Sequence, residues 1–336
     1  MDGETTVRLR VLGELAATRN GAVVDLGGRR QRAVLAALVI LRDQVVSPER
    51  LADCVWGDHP PANPAGAVQA YVSHLRRRLQ PEAVARKREG VIASEAAGYV
   101  LRLGPDSVDA WCFERAVDSA AGLAPADAMR TLDDALRLWR GPAYAEYLGE
   151  PWVEAEALRL TELHAVARER RLEARLQQGD AAVVVGELEA LVAEDPLREE
   201  RWRLLALALY RAQRQAGALA ALRRARETLA EELGVDPGPA LRALEAEVLA
   251  QSPTLDGPAS RLRVDLPVEE VFPEPVTRTD LVDRAQEIAA LRRVVDELAT
   301  GRPGCVIVEG PASDRHDAVA KLNGPANRTH NGDRPW

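Results

Sequence analysis

Three groups of residues in this 336-residue chain have types and spacings that could do chemistry. The first is a run of cations. Arg76, Arg77 and Arg78 are followed by Arg86, Lys87 and Arg88, so positions 76–88 hold six basic residues and one acid, Glu82. Guanidinium groups at that density neutralise phosphates and release their condensed counterions. The second is Gly310-Pro311-Ala312-Ser313-Asp314-Arg315-His316-Asp317, which follows the apolar run Cys305-Val306-Ile307-Val308. A loop of the type GxxxxGK[ST] needs glycine so that backbone amides reach phosphate, lysine for the β and γ groups and a hydroxyl for magnesium. Arg315, His316 and Asp317 stand in those last three places, which argues against nucleotide hydrolysis. The third group is the possible metal ligands. Cys54, Cys112 and Cys305 are far apart and odd in number, and His316 and His330 lie in a polar tail, so neither a disulfide framework nor a zinc cluster is indicated. No catalytic residue, metal or cofactor is expected, and the chain does not read as an enzyme.

The cations must be judged against an acidic protein. The formal net charge is −8, but residues 1–105 carry 15 Lys+Arg and 11 Asp+Glu, a net of +4 that leaves −12 for the remainder. Only Lys87 and Lys321 of the 44 basic residues are lysines. Apolar residues make up 46% and aromatic residues 4%, so the cores must be built from Ala, Leu and Val, which favours helices. The longest apolar run, 33–41, is far short of the ~20 residues that span a bilayer, and the N-terminus is charged. A cytoplasmic, nucleoid-associated setting with no membrane partner is expected.

The elements that would position the cations can be read in order. Alternating segments at 7–12, 14–18 and 23–26, broken at Gly13 and at Asn20-Gly21, predict short antiparallel strands. A helix over 30–42 follows, with Val34, Leu35, Leu38 and Leu41 as its apolar stripe. Ser47-Pro48-Glu49 supplies a cap, a first-turn proline and an early carboxylate for a second helix that ends at Gly57. Asn63-Pro64 opens a third helix that reaches Leu79. At 100° per residue, Val68, Val72, Leu75 and Leu79 share one narrow arc, while Gly66, Ala70, Ser73, His74 and Arg77 lie opposite. Segments 91–94 and 99–103 then flank a turn as a hairpin.

A sheet, three helices and a hairpin describe a winged helix, with the basic outer face of the third helix suited to the major groove. A basic helical face is more often only solvated, but the strands before this one and the hairpin after it favour DNA. Gln69 could pair with adenine and Ala70 could touch a thymine methyl.

In its details the segment resembles the OmpR-type winged helix of the Streptomyces antibiotic regulatory proteins, the SARP activators. The resemblance is carried by Val11-Leu12-Gly13, the run from Leu26 to Leu35, Leu51-Ala52 with Trp56-Gly57, the run from Val68 to Leu79, and Gly98-Tyr99-Val100-Leu101. It covers nearly all of residues 7–103. It implies that Gln69, Ala70, Tyr71, Ser73, His74, Arg76, Arg77 and Arg78 form the recognition set, that Arg30 and Arg32 contact phosphate, and that the hairpin reaches the minor groove. Ala97 stands before Gly98-Tyr99 where a second glycine is common in this family.

Beyond Pro105 the pattern is helical, punctuated by Gly141-Pro142, Gly149-Glu150-Pro151, Gly179-Asp180, Pro196 and 234–239. A 34-residue tetratricopeptide frame with Trp202 at its fourth position puts Leu205, Ala206 and Leu209 on one helix and Ala218, Leu222 and Ala225 on the next. Trp111, Trp139, Trp152 and Trp202 read as packing anchors. The same resemblance continues in Leu138-Trp139-Arg140-Gly141-Pro142, residues 154–163, Pro196-Leu197-Arg198-Glu199, Ala208-Leu209-Tyr210-Arg211 and the run from Glu232 to Gly238. It implies a bacterial transcriptional activation domain, and hence an activator that binds promoter direct repeats as a homodimer and recruits RNA polymerase holoenzyme to secondary-metabolite (antibiotic) genes.

The expected fold class is therefore mainly α with a small β component, an N-terminal winged helix-turn-helix followed by an all-α tetratricopeptide-like domain. The expected organisation is a DNA-binding domain at 1–105, the activation domain at 106–251, a linker at 252–277, and at 278–336 the incomplete start of the ATPase domain found in larger members, with a tail. Two other readings stand beside the activator. One is a repeat-based protein-interaction adaptor whose winged helix is vestigial, and the other is an ATP-dependent signalling regulator.

Overall fold

The computed structural model describes residues 6–81 and 90–257. The chain opens with a three-stranded antiparallel sheet in the order β1 (Val7–Arg10), β2 (Ala16–Arg19), β3 (Ala22–Val24), with Val7 opposite Arg19 and Ala17 opposite Val24. Asn20 and Gly21 both have positive φ, 50° and 83°, as a two-residue type I′ hairpin turn demands. The strands are shorter than the alternation suggests. β1 stops at Arg10 because the next two amides, of Val11 and Leu12, turn away from the sheet and donate to the Asp109 carboxylate.

Three helices follow. α1 (Arg29–Ile40) is buried at every position from Ala33 to Val39, which makes it the central helix of this half. α2 (Pro48–Trp56) begins where the Ser47 hydroxyl accepts the Arg50 amide at 3.2 Å, and it ends at Gly57 with φ 53°. α3 (Pro64–Leu79) buries Val68, Val72, Leu75 and Leu79, the arc that the helical period selects. The hairpin β4 (Ile92–Glu95) and β5 (Gly98–Leu101) is tied to the segment before α2 by two hydrogen bonds between Val46 and Tyr99, at 2.8 and 2.9 Å. A Cβ at Gly98 would overlap the Val46 carbonyl, so this approach requires glycine there, whatever residue stands at position 97.

The rest of the described chain is helical: α4 (Asp109–Ala120), α5 (Pro125–Leu136), α6 (Pro151–Gln177), α7 (Ala181–Glu194), α8 (Glu199–Arg211), α9 (Gln215–Leu233) and α10 (Pro239–Leu249). A short 3-10 turn, Ala145–Tyr147, precedes α6. α8 and α9 form the helix pair of the tetratricopeptide frame. Trp202, Leu205, Ala206, Leu209, Ala218, Leu222 and Ala225 are all buried, and the Trp202 indole donates to the Pro196 carbonyl at 2.8 Å. The fold is thus a winged helix followed by an all-α tetratricopeptide-like half.

The apolar core does not stop at residue 105. One cluster of buried side chains runs from Val7 to Ala174 and so joins the winged helix to α4, α5 and most of α6, while a second, from Leu172 to Leu255, fills α7–α10. The first residues of the expected linker are ordered. Pro253–Leu255 form a 3-10 turn whose Leu255 is buried and whose carbonyl accepts from Arg211 at 2.9 Å. The remaining linker, the segment 278–336 with its loop-like string, and the cations Arg86, Lys87 and Arg88 lie outside the described residues. Among the described residues no helix is long and apolar enough to cross a membrane, and no group of three or more His, Cys, Asp or Glu is placed to hold a metal.

Candidate nucleic-acid interface

α3 is positioned from its N-terminus. The Asn63 side-chain oxygen accepts the Gly66 amide at 2.9 Å and Pro64 occupies the first turn, where its missing N–H costs nothing. A Cβ at Gly66 would run into the Asn63 side chain, so the small residue and the cap fit one another. Asn63→Ala is expected to lower stability by about 1 kcal/mol, read from the urea midpoint at unchanged slope. An unchanged midpoint would show that the cap contributes nothing.

The outer face of α3 presents Gln69, Ala70, Ser73, Arg77 and Arg78, all exposed. The other residues of the recognition set are engaged by neighbouring elements. Tyr71 is half-buried and stacks on Trp56 of α2, with ring centroids 5.9 Å apart and planes 19° apart. His74 is half-buried, and its Nδ1 faces the side-chain amide of Gln31 on α1. Arg76 donates to the Ile92 carbonyl and the Ser94 hydroxyl, both at 2.8 Å, and its guanidinium lies 5.7 Å from the centre of the Tyr99 ring. Burial against the hairpin lowers the Arg76 pKa from its ordinary value. Three adjacent arginines therefore have different surroundings: Arg76 holds the wing, Arg77 makes among the described residues only a 3.4 Å contact with the Ser73 carbonyl of its own helix, and Arg78 lies 3.6 Å from Asp25 with both partners exposed. An exposed pair at that distance is worth little and leaves Arg78 able to change partners.

The start of α1 lies beside this face, since Gln31 meets His74. Arg30 is exposed and has no partner among the described residues. Arg32 is engaged by the helical half: its Nε and Nη2 donate to one oxygen of Glu146, at 2.9 and 2.6 Å, and its Nη1 donates to the Gly27 carbonyl. Arg29 donates to the Glu146 carbonyl and to Glu150 at 2.9 Å.

Sequence reasoning missed this second set. Nothing local marks it, because the partners of Arg32 and Arg29 stand more than a hundred positions away. It also missed the junction around Val11-Leu12-Gly13. There Asp109 accepts the Val11 and Leu12 amides and pairs with Arg140, while the Arg140, Tyr144 and Ala145 amides donate to the carbonyls of Leu12, Val11 and Gly13. The motif that marks the strand end in sequence thus anchors the winged helix to α4 and to the segment before α6. Gly13, at φ 132°, allows this, since a Cβ there would press against Arg140.

Two family models match the chain. One described as "Transcriptional regulatory protein, C terminal" covers residues 21–101, and one described as "Bacterial transcriptional activator domain" covers residues 108–249. The transcriptional regulatory protein MoaR1 of Mycobacterium tuberculosis is 38% identical over 267 residues, 77% of this chain and 85% of that protein. The transcriptional regulator RedD of Streptomyces coelicolor is 36% identical over 260 residues, 76% of this chain and 74% of that protein. The solved structure of Mycobacterium tuberculosis EmbR in complex with a low affinity phosphopeptide superposes with a TM-score of 0.69 at 38% identity, covering 74% of this chain and 66% of that one.

Proposed function

Because the chain belongs to the SARP family of DNA-binding transcriptional activators, we propose that it binds promoter direct repeats as a homodimer and recruits RNA polymerase holoenzyme to secondary-metabolite (antibiotic) genes. In this reading residues 1–105 carry DNA recognition and residues 106–251 carry activation. The observation that supports it most directly is the outer face of α3, capped at its start, small and polar in its middle and cationic at its end.

Each residue of that face takes the role its surroundings permit. Gln69 and Ala70, exposed in the first half of the helix, and Ser73, one turn further on, meet base edges, since the N-terminal part of this helix enters the groove in helix-turn-helix proteins. Tyr71 and His74 border the same edges, steadied by Trp56 and Gln31. Arg77, Arg78 and Arg30 contact phosphates, and Arg76 sets the angle between α3 and the wing that reaches the minor groove. Arg32 joins the phosphate contacts when Glu146 releases it.

Selection from a pool of duplexes with a randomised centre tests the reading, followed by run-off transcription with RNA polymerase holoenzyme on the recovered sites. Two half-sites in the same orientation, one or more helical turns of about 10.5 bp apart, are expected, together with increased transcript from promoters that carry them. A pool that shows no enrichment would reject sequence-specific binding. Enrichment without added transcript would keep the DNA reading and reject recruitment.

A further inference from the structure

The start of α1 presents three arginines in one turn, and the helical half meets two of them with carboxylates. Arg32 is joined to Glu146 at 2.6 Å with side chains 30% and 15% exposed, and Arg29 is joined to Glu150 at 2.9 Å with side chains 58% and 38% exposed. Arg30, between them, has no partner among the described residues. The acids sit at the 3-10 turn Ala145–Tyr147 and at the residue before α6, and the turn is held on α1 by contacts other than charge. The Tyr147 hydroxyl donates to the Arg29 carbonyl at 3.0 Å, and the Tyr147 ring is buried beneath the Arg29 guanidinium. Through Gln31 and His74 the same turn of α1 touches the outer face of α3.

We infer that Glu146, seconded by Glu150, competes with DNA phosphate for the arginines at the start of α1, so that the activation domain sets the DNA affinity of the winged helix. The inference rests on the reading that this face meets DNA. A carboxylate and a phosphate oxygen offer a guanidinium the same bidentate chemistry, so Arg32 cannot serve both fully. Bound to Glu146, it contributes no net charge to the face. Released, it adds one phosphate contact and the counterion that contact displaces. By linkage, DNA that captures Arg32 weakens the contact between α1 and the turn before α6 by the same factor. The Arg32–Glu146 pair is partly open to water, whereas Tyr147 and the Asp109 carboxylate are buried, so the exchange proceeds while the two halves stay joined.

The test uses the full chain and a fluorescent duplex of about 30 bp of random sequence, with binding followed by anisotropy from about 50 to 200 mM KCl. Glu146→Gln keeps the shape and removes the competing charge. It is expected to bind about three- to tenfold more tightly at 0.1 M salt, with a plot of log K against log salt steeper by about one. In an Arg32→Gln background the same change is expected to give no gain, because the gain acts through that guanidinium. Unchanged or weaker binding by a folded Glu146→Gln protein would overturn the inference while leaving DNA binding intact. If that variant lost its helical circular dichroism, Glu150→Gln at the more exposed pair is the substitute, with a gain of about two- to threefold expected and no gain counting against the proposal. Failure of both wild type and Glu146→Gln to bind at any salt would instead remove the DNA reading, and this inference with it.

Discussion

Replacing Arg77 and Arg78 together by alanine is expected to lower duplex affinity by about 60-fold at 0.1 M salt and to flatten the dependence of log K on log salt by about 1.8, since each phosphate contact contributes a slope of about 0.9. The effect should be nearly uniform across sequences, because in the proposed reading these side chains contact the backbone and not base edges. The fold is expected to survive. Both side chains are exposed, alanine is the best helix former, and the one ion pair lost among the described residues, Arg78 with Asp25, is long and solvated. Removing two cations from the last turn of α3 forfeits only a few tenths of a kcal/mol of dipole stabilisation each. An unchanged affinity and salt slope, measured by anisotropy titration, would show that the C-terminal half of α3 does not approach phosphate. Arg76 is unsuited to this experiment. Its guanidinium holds Ile92 and Ser94, so its loss would move the wing and mix structural damage with lost binding.

That difference between neighbouring arginines marks where the sequence stops being informative. α3 itself is legible. Asn63-Pro64 signals its start, and the spacing of Val68, Val72, Leu75 and Leu79 identifies its buried side, because helical period and capping are local properties. The same holds for Asn20-Gly21, whose turn needs two residues that tolerate positive φ, and for the Trp202 frame. By contrast, Arg76, Arg77 and Arg78 have the same composition and nearly the same local environment. The return of the chain as β4, 16 and 18 positions later, gives Arg76 the Ile92 carbonyl and the Ser94 hydroxyl as partners. Arg32 looks in sequence like any cation at the start of a helix, and its engagement by Glu146 depends on packing across 114 positions. The shared core is equally hidden. Pro105 and the change from strand to helix suggest a boundary, yet Val108 and Phe113 are fully buried in the same cluster as Leu9 and Leu12.

The shared core makes a second large effect expected at Asp109. Its carboxylate is buried at the first position of α4, accepts the Val11 amide at 2.8 Å and the Leu12 amide at 3.3 Å, and pairs with Arg140. Asp109→Ala leaves two backbone amides from the winged helix without acceptors and a guanidinium without its counter-charge. A loss of about 3–5 kcal/mol is expected, in the range of broken buried pairs, with Asp109→Asn intermediate because its one remaining oxygen can still accept. Urea unfolding followed by circular dichroism measures it, and the shape of the transition carries the structural argument. If the winged helix and α4–α6 fold as one body, the variant unfolds in a single transition displaced to lower urea with an unchanged slope. A loss below about 1 kcal/mol would mean that water replaces the carboxylate at the junction. A transition that splits in two would mean that the joint core is held together by Asp109 and not by the apolar cluster around it. Either outcome bears on activation, because a rigid junction carries the position of the recognition helix to the helical half, and a loose one leaves the two halves to act through their tether alone.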